Sequence, residues 1–325
     1  MGLTGWYLHH HGAGHLTRFR AVRPHLPGEV VVFSSLPEPA PRPAGTTWVH
    51  LDRDNDRPPG APDPADADPT AGGLLHWAPL GHGGHARRLA AIAGAIAARR
   101  FDRFVVDVSV EVALLVRLLG VPTVVVTQPG DRNDPPHRLA YATAARVLAP
   151  WPAGVHRSPA THLVEVGGIS RFDGRTRAVE PDPGTVLVLG GGVPDEDLAG
   201  AAAATPGIRW QYAGRSASTW IEDPWEALQR AEVVVTAAGQ NSVADIAAAG
   251  ARAVVVPQPR PFDEQAATGR ILTERRLAVV EPSWPDDQAW PGLLDRARAL
   301  RPDWAQWRVS GAAQRAAAAI AEVVA

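Results

Sequence analysis

His15 stands directly behind the short glycine loop Gly12-x-Gly14. An imidazole placed there, past the carboxyl end of a strand, can take a proton from a hydroxyl near neutral pH. A packing or capping histidine is the alternative, and His9 and His11, alternating on the preceding strand, read as structural. A second group runs Thr236-Ala-Ala-Gly239-Gln240-Asn241-Ser242-Val-Ala-Asp245. Ser242 can donate its hydroxyl to a phosphate at a helix start, where amide groups and the helix dipole favour anions. Asp245, one turn on, can accept from two ribose hydroxyls. Capping by Asn241 or Ser242, with Asp245 favourable in the first turn, operates in either case. Pro261-Phe262-Asp263-Glu264-Gln265 opens a further helix with side chains suited to sugar hydroxyls, although an ordinary acidic first turn looks the same. A third glycine loop, Gly190-Gly191-Gly192, repeats the phosphate-facing form. Asp107 and Ser109 at one strand end, and Asp131, Arg132, Asp134 and His137 after the next, can line an acceptor pocket or a plain polar surface.

The elements that must position these groups alternate as strand and helix, so they imply a parallel sheet with right-handed crossovers. Strands are expected over 6–10, 30–33, 48–51, 103–108 and 122–127, with helices over 16–25, 86–100 and 111–119. Residues 52–73, rich in Pro and Asp, have no periodicity and read as a long loop. The pattern then restarts, with strands over 185–189, 209–213, 233–236 and 253–256. Its helices are expected over 195–204, 224–230, 239–249 and 263–274. The expected division is a first domain over 1–166 and a second over 167–310, with the linker at 167–184. A helix over about 311–325 can pack back on the first domain.

Composition removes several chemistries. The 325 residues include no Cys, so there is no thiolate nucleophile, disulfide framework or iron–sulfur cluster. All 32 basic residues are Arg, which excludes a Walker-A lysine and a pyridoxal Schiff base. A formal charge of −2 gives no basic field for nucleic acid. No apolar run is long enough to span a bilayer and no secretory leader is visible, so the default location is the cytoplasm. A helix carrying Leu89, Ile92 and Ile96 between Arg87-Arg88 and Arg99-Arg100 leaves peripheral membrane contact as an alternative to core packing. His82 and His85 lack a third ligand at metal spacing, and Asp52-x-Asp54-x-Asp56 lacks the Gly and final Glu of a calcium loop. No metal and no cofactor are expected. A dinucleotide fingerprint fails as well, because Thr17 occupies the third glycine position and Ser34-Ser35 the place of the ribose acid.

Gly12-x-Gly14-His15, the Gly190 loop, the run from Ala238 to Gly250 and Val256-Pro-Gln-Pro-Arg-Pro-Phe-Asp-Glu-Gln265 together resemble the MurG-type glycosyltransferases of family 28. The resemblance is more specific over 185–275 than before 167. It implies the α/β GT-B architecture, two Rossmann-like doubly wound parallel-sheet domains facing across a cleft. It also implies inverting transfer from a nucleotide-sugar, most often a UDP-sugar, to a hydroxyl acceptor without a catalytic metal. Carried over by position, His15 is the base, and Gly14, Gly191, Gly192, Gly239, Gln240, Asn241 and Ser242 face the donor phosphates. Asp245, where the family has Glu, meets the ribose, and Ile221 reads the base through its backbone. Asp263, Glu264 and Gln265 meet the donor sugar. The acceptor side departs from the family: its His-Glu-Gln-Asn stretch appears here as Thr127-Gln-Pro-Gly-Asp131-Arg132. The same fold also serves UDP-sugar 2-epimerases or hydrolases and non-catalytic nucleotide-sugar binders, which need no acceptor.

Overall fold

The computed structural model describes residues 2–57, 60, 63–191, 193–214, 221 and 223–324. In chain order the strands are β1 (Leu3–Leu8), β2 (Glu29–Ser34), β3 (Thr46–His50), β4 (Arg103–Asp107), β5 (Thr123–Val126), β6 (Arg146–Ala149), β7 (Leu163–Glu165), β8 (Asp182–Leu189), β9 (Arg209–Ala213), β10 (Ala231–Thr236), β11 (Ala253–Val255) and β12 (Val279–Val280). The helices are α1 (Gly14–Val22), α2 (Gly83–Ala98), α3 (Val110–Leu118), α4 (Pro135–Thr143), α5 (Asp195–Ala204), α6 (Trp225–Arg230), α7 (Gln240–Ala248), α8 (Glu264–Glu274), α9 (Trp290–Ala299) and α10 (Ala312–Ala321). The chain divides into two compact units. One holds Met1–Pro150, Arg157–Val166 and Ala313–Ala325, and the other holds Trp151–His156 and Gly167–Ala312.

Unit 1 is built on a seven-stranded sheet in the order β3-β2-β1-β4-β5-β6-β7, with every pairing parallel. Strands buried on both faces must be apolar throughout, and Val30, Val31, Val32 and Phe33 of β2 are each at most 1% exposed. The strand order reverses between β1 and β4, which places Leu8 beside Asp107 at the carboxyl edge. Ligands of doubly wound sheets bind at such a reversal.

Unit 2 carries a five-stranded parallel sheet in the order β12-β11-β10-β8-β9. Its reversal lies between β8 and β10, the strands that run into the Gly190 loop and the Gly239 loop. Val186, Val188, Val233, Val235 and Val254 pack on Trp290 and Leu294 of α9 on one side. Leu187, Val234 and Val255 pack with Val243 and Ile246 of α7 on the other. Both sheets thus have helices on both faces.

Local boundaries differ from the sequence expectation for physical reasons. The first strand ends at Leu8, so His9 and His10 belong to the loop, and α1 stops at Val22 before Pro24. The segment after β3 is folded on itself, with Asp63 capping a short 3₁₀ turn and Leu80 N–H donating to Ala67 C=O at 2.9 Å. Asp54 in that segment is buried and ion-paired with Arg88, which is 1% exposed. Arg88 therefore belongs to the interior and cannot serve a lipid surface. Helix α4, strands β6 and β7, and helix α9 had no sequence expectation. No helix among the described residues is long and apolar enough to cross a membrane.

Candidate active site

In unit 1 the first turn of α1 and the end of β4 form a buried polar group. Gly12 takes φ +77°, a left-handed conformation that suits glycine and turns the chain from β1 into α1. His15, in the first turn of α1, is buried, and its Nδ1 lies 2.9 Å from Asp107 Oδ1. A carboxylate can only accept, so Nδ1 carries the proton and Nε2 keeps its lone pair. Arg18 lies one turn further on the same helix face, and its Nη1 donates to the same Asp107 oxygen at 2.6 Å. Asp107 is fully buried, and Oδ2 has no hydrogen-bond partner among the described residues. Burial pushes the Asp107 carboxyl up, but the Arg18 charge and the hydrogen bonds from His15 and Arg18 outweigh it and hold the group below the usual carboxylate range.

The residue after Asp107 is Val108 at φ +56°, a conformation in which a β-branched side chain is strained. Such strain gathers at functional sites. Ser109 then caps α3, accepting from Val112 N–H at 3.2 Å, and donates to Glu111 at 3.0 Å. The His9 ring lies 5.8 Å from the His15 ring and also contacts His10 and His11. Burial, and then the neighbouring imidazoles, lower His9 to about 2, so it stays neutral.

The remaining first-unit candidates gather at the start of α4. Asp131 is exposed and accepts from the Asn133 backbone and side chain. Arg132 is buried against the Pro129 carbonyl and lies 3.4 Å from His137 Nε2. His137 Nδ1 bonds to Asp134, which also meets His76 Nε2 at 2.5 Å.

In unit 2 the helix start at α7 has Gly239 as its N-cap, and no Gly239 side chain exists to cap it. Gln240, Asn241 and Ser242 form its first turn, each half-buried. Gly190, at φ +98°, closes β8 through a bond from its N–H to Ala213 C=O, and Gly191 is exposed. Gly191 C=O accepts from Gln258 Nε2 at 2.9 Å. Gln265 is buried, and its Oε1 accepts from Ala238 N–H at 3.0 Å and Gln258 N–H at 2.9 Å. One amide carbonyl therefore ties the β10 loop to the β11 loop. Phe262 and Asp263 both take positive φ, +63° and +55°, immediately before Glu264 starts α8. Gly14 and Ile221 are exposed, and Gly192 lies outside the described residues.

Asp245 differs from its sequence expectation. The residue is 2% exposed, and its carboxylate accepts from Ser170 Oγ at 2.7 Å and Arg171 Nε at 3.1 Å. Burial raises it to about 6 despite those partners. Position 245 lies among the core-facing residues of α7, so this acid holds the 170–171 segment instead of facing open solvent.

Sequence reasoning missed Arg18, Val108 and His76. Arg18 was legible, because i and i+3 on a helix share a face. The other two depend on backbone torsion and a loop path that carry no periodic signal.

The architecture defined by these sheets is that of the GT-B glycosyltransferases. The structure of MurG from Acinetobacter baumannii superposes with a TM-score of 0.62, 17% identity and 98% of each chain covered. Spinosyn forosaminyltransferase gives 0.63 with 15% identity, covering 98% of this chain and 95% of that one. Residues 212–270 match the glycosyltransferase family 28 C-terminal domain. Two curated relatives carry the name UDP-N-acetylglucosamine--N-acetylmuramyl-(pentapeptide) pyrophosphoryl-undecaprenol N-acetylglucosamine transferase. The protein from Rubrobacter xylanophilus is 33% identical over 196 residues, covering 51% of this chain and 57% of that protein. The one from Alcanivorax borkumensis is 32% identical over 224 residues, covering 58% and 59%. The matched region thus spans less than two thirds of either relative.

Proposed function

We propose that the chain is an inverting glycosyltransferase that moves a sugar from a nucleotide-sugar, of the UDP-sugar class, to a hydroxyl acceptor. The observation that carries this reading is the His15–Asp107 hydrogen bond at the strand reversal of unit 1. It leaves Nε2 as the basic nitrogen, oriented by a buried carboxylate, the arrangement a general base requires. His15 Nε2 takes the acceptor hydroxyl proton while that oxygen attacks the anomeric carbon. The bond from that carbon to the diphosphate oxygen breaks, and the single displacement inverts the configuration. The charge left on the diphosphate is met by the α7 helix start and the Gly190 loop, as fixed dipoles stabilise a developing anion. No step is routed through a metal or cofactor.

On this reading Asp107 and Arg18 position the base. Gln265 shapes the donor loops from beneath, and Asp245 supports them through 170–171. Asp263 and Glu264 stand at the donor-sugar end, and Asp131, Arg132, Ser109 and His137 at the acceptor side. The acceptor is a hydroxyl compound, and the protein works at the cytoplasmic side.

The test is consumption of UDP-sugars with and without a panel of hydroxyl acceptors. Acceptor-dependent release of UDP that falls about 100-fold or more in His15→Asn supports the proposal. Full turnover in that variant removes the base, and equal consumption without acceptor assigns a hydrolase or epimerase instead.

A further inference from the structure

Outside the donor loops and the His15–Asp107 pair, one cluster in unit 1 has the ligand set of a transition-metal centre. His76, Asp134 and His137 each present one ligand atom, and these atoms lie within 4.8 Å of one another. Asp134 lies between the two imidazoles, with one carboxylate oxygen on His76 Nε2 at 2.5 Å and the other on His137 Nδ1. The ring centroids are 4.4 Å apart. Asp134 and His137 come from the start of α4, at i and i+3, so one helix turn fixes their separation. His76 comes from a loop 58 residues earlier than Asp134. Its backbone is held, because His76 N–H and Trp77 N–H donate to Glu111 Oε1 at 2.7 and 3.0 Å.

We propose that His76 Nε2, Asp134 and His137 Nδ1 bind a divalent transition ion of the zinc class. Two imidazoles and one carboxylate are a borderline-soft N₂O set that suits zinc, cobalt or nickel over calcium or magnesium. Tetrahedral ligand atoms sit about 3.4 Å apart, so the two rings need to close by about an ångström to share one ion. Three protein ligands leave a fourth position for an exchangeable oxygen ligand. The ion would join the loop bearing His76 to α4.

Arg132 Nη1 lies 3.4 Å from His137 Nε2, and a guanidinium can only donate. A metal on Nδ1 requires a proton on Nε2, so two donors would then face each other, beside a like charge. Arg132 therefore opposes the ion, and the contact must open for metal to enter. A neutral acceptor at 132 removes that opposition and supplies a partner for the Nε2 proton, the outer-shell arrangement that metal-bound histidines use.

The proposal does not depend on the transferase reading. The full chain, stripped with EDTA and dialysed, is titrated with ZnCl₂ by calorimetry, and with CoCl₂ while the visible spectrum is followed. One ion per chain is expected, with ligand-field bands of cobalt in a mixed nitrogen and oxygen site. His76→Ala is expected to weaken zinc binding at least about tenfold, and Arg132→Gln to tighten it by a similar factor. His9→Ala with His11→Ala, which removes two imidazoles outside the proposed site, should leave the isotherm unchanged. Melting curves of each variant establish that it is folded. Absence of saturable zinc binding overturns the proposal. So does an isotherm unaffected by both His76→Ala and His137→Ala.

Discussion

Replacing Asp107 by Asn tests the base and its support together. The carboxylate is fully buried, and a single oxygen receives both Arg18 Nη1 at 2.6 Å and His15 Nδ1 at 2.9 Å. An Asn carbonyl can keep both contacts only by turning its NH₂ to the Oδ2 side, a buried position that makes no hydrogen bond among the described residues. It also removes the charge opposite Arg18, which is 3% exposed. Breaking a buried ion pair by removing one partner costs about 3–5 kcal/mol. For a unit of this size, each kcal/mol corresponds to about 2–4 °C, so the unit-1 transition should fall by about 10 °C. With the orienting charge gone, turnover should drop about 100-fold or more even at temperatures where the variant is folded. The assay pairs calorimetric melting with UDP release. Asp107→Leu combined with Arg18→Met separates the two effects, since an apolar replacement of both partners restores most of the stability but not the activity. An Asn variant that melts within 2 °C of the parent (about the shift of half a kcal/mol) and turns over normally would show that the Asp107 charge neither stabilises the unit nor orients the base. The pair also sets an acid limit: the Asp107 carboxyl is held low when folded, so its contribution is complete above the unfolded value and is lost as pH falls through the lower folded one.

Three further outcomes follow from single positions. Val108→Gly relieves a left-handed β-branched residue, and after the entropy of glycine is subtracted the unit-1 melting temperature should rise by about 2 °C; a fall of that size would contradict the strain. Burial, and then Arg270 and Arg275, lower His156 to about 4. The unfolded chain therefore binds the extra proton first, and this contribution to stability, complete above pH about 6.5, is lost as pH falls toward 4. That loss is about 2 kcal/mol by pH 5, and His156→Gln should flatten it in denaturant titrations, so an unchanged pH slope would count against it. Gln265→Leu strands the Ala238 and Gln258 N–H groups, which should cost about 2–4 kcal/mol and weaken UDP binding; unchanged melting and affinity would show that the strap is dispensable.

Much of this site can be read from residue order. Short Val-rich runs between glycine loops can only be strands buried on both faces, which gives the doubly wound class and hence the carboxyl-edge location of His15, Asp107 and Gly239. The Ala238–Gly250 run is legible because a glycine N-cap before a polar turn has one structural use, the helix start now seen at Gln240. The rest is hidden for definite reasons. Asp245 looked like an open ribose acceptor because sequence shows its position on the helix but not the Ser170–Arg171 segment lying across it. Nothing near Asp54 in the sequence signals its burial, because its partner Arg88 is 34 residues away on α2. His76 carried no signal, since its place beside Asp134 depends on the path of a non-periodic loop. Helix α4 begins with Pro135-Pro136, which hides a helix from a periodicity reading even though proline is favourable in a first turn.

On the transferase reading, amide groups at the glycine-initiated helix α7 and the Gly190 loop hold a diphosphate. Calorimetric titration of the whole chain with UDP, UMP and uridine tests it most directly. UDP is expected to bind at least about tenfold tighter than UMP, with uridine weaker still, because each lost phosphate removes charge from the helix start. Ser242→Ala should narrow the gap between UDP and UMP. Equal affinity for UDP and uridine, or no binding of any of the three, would contradict that reading.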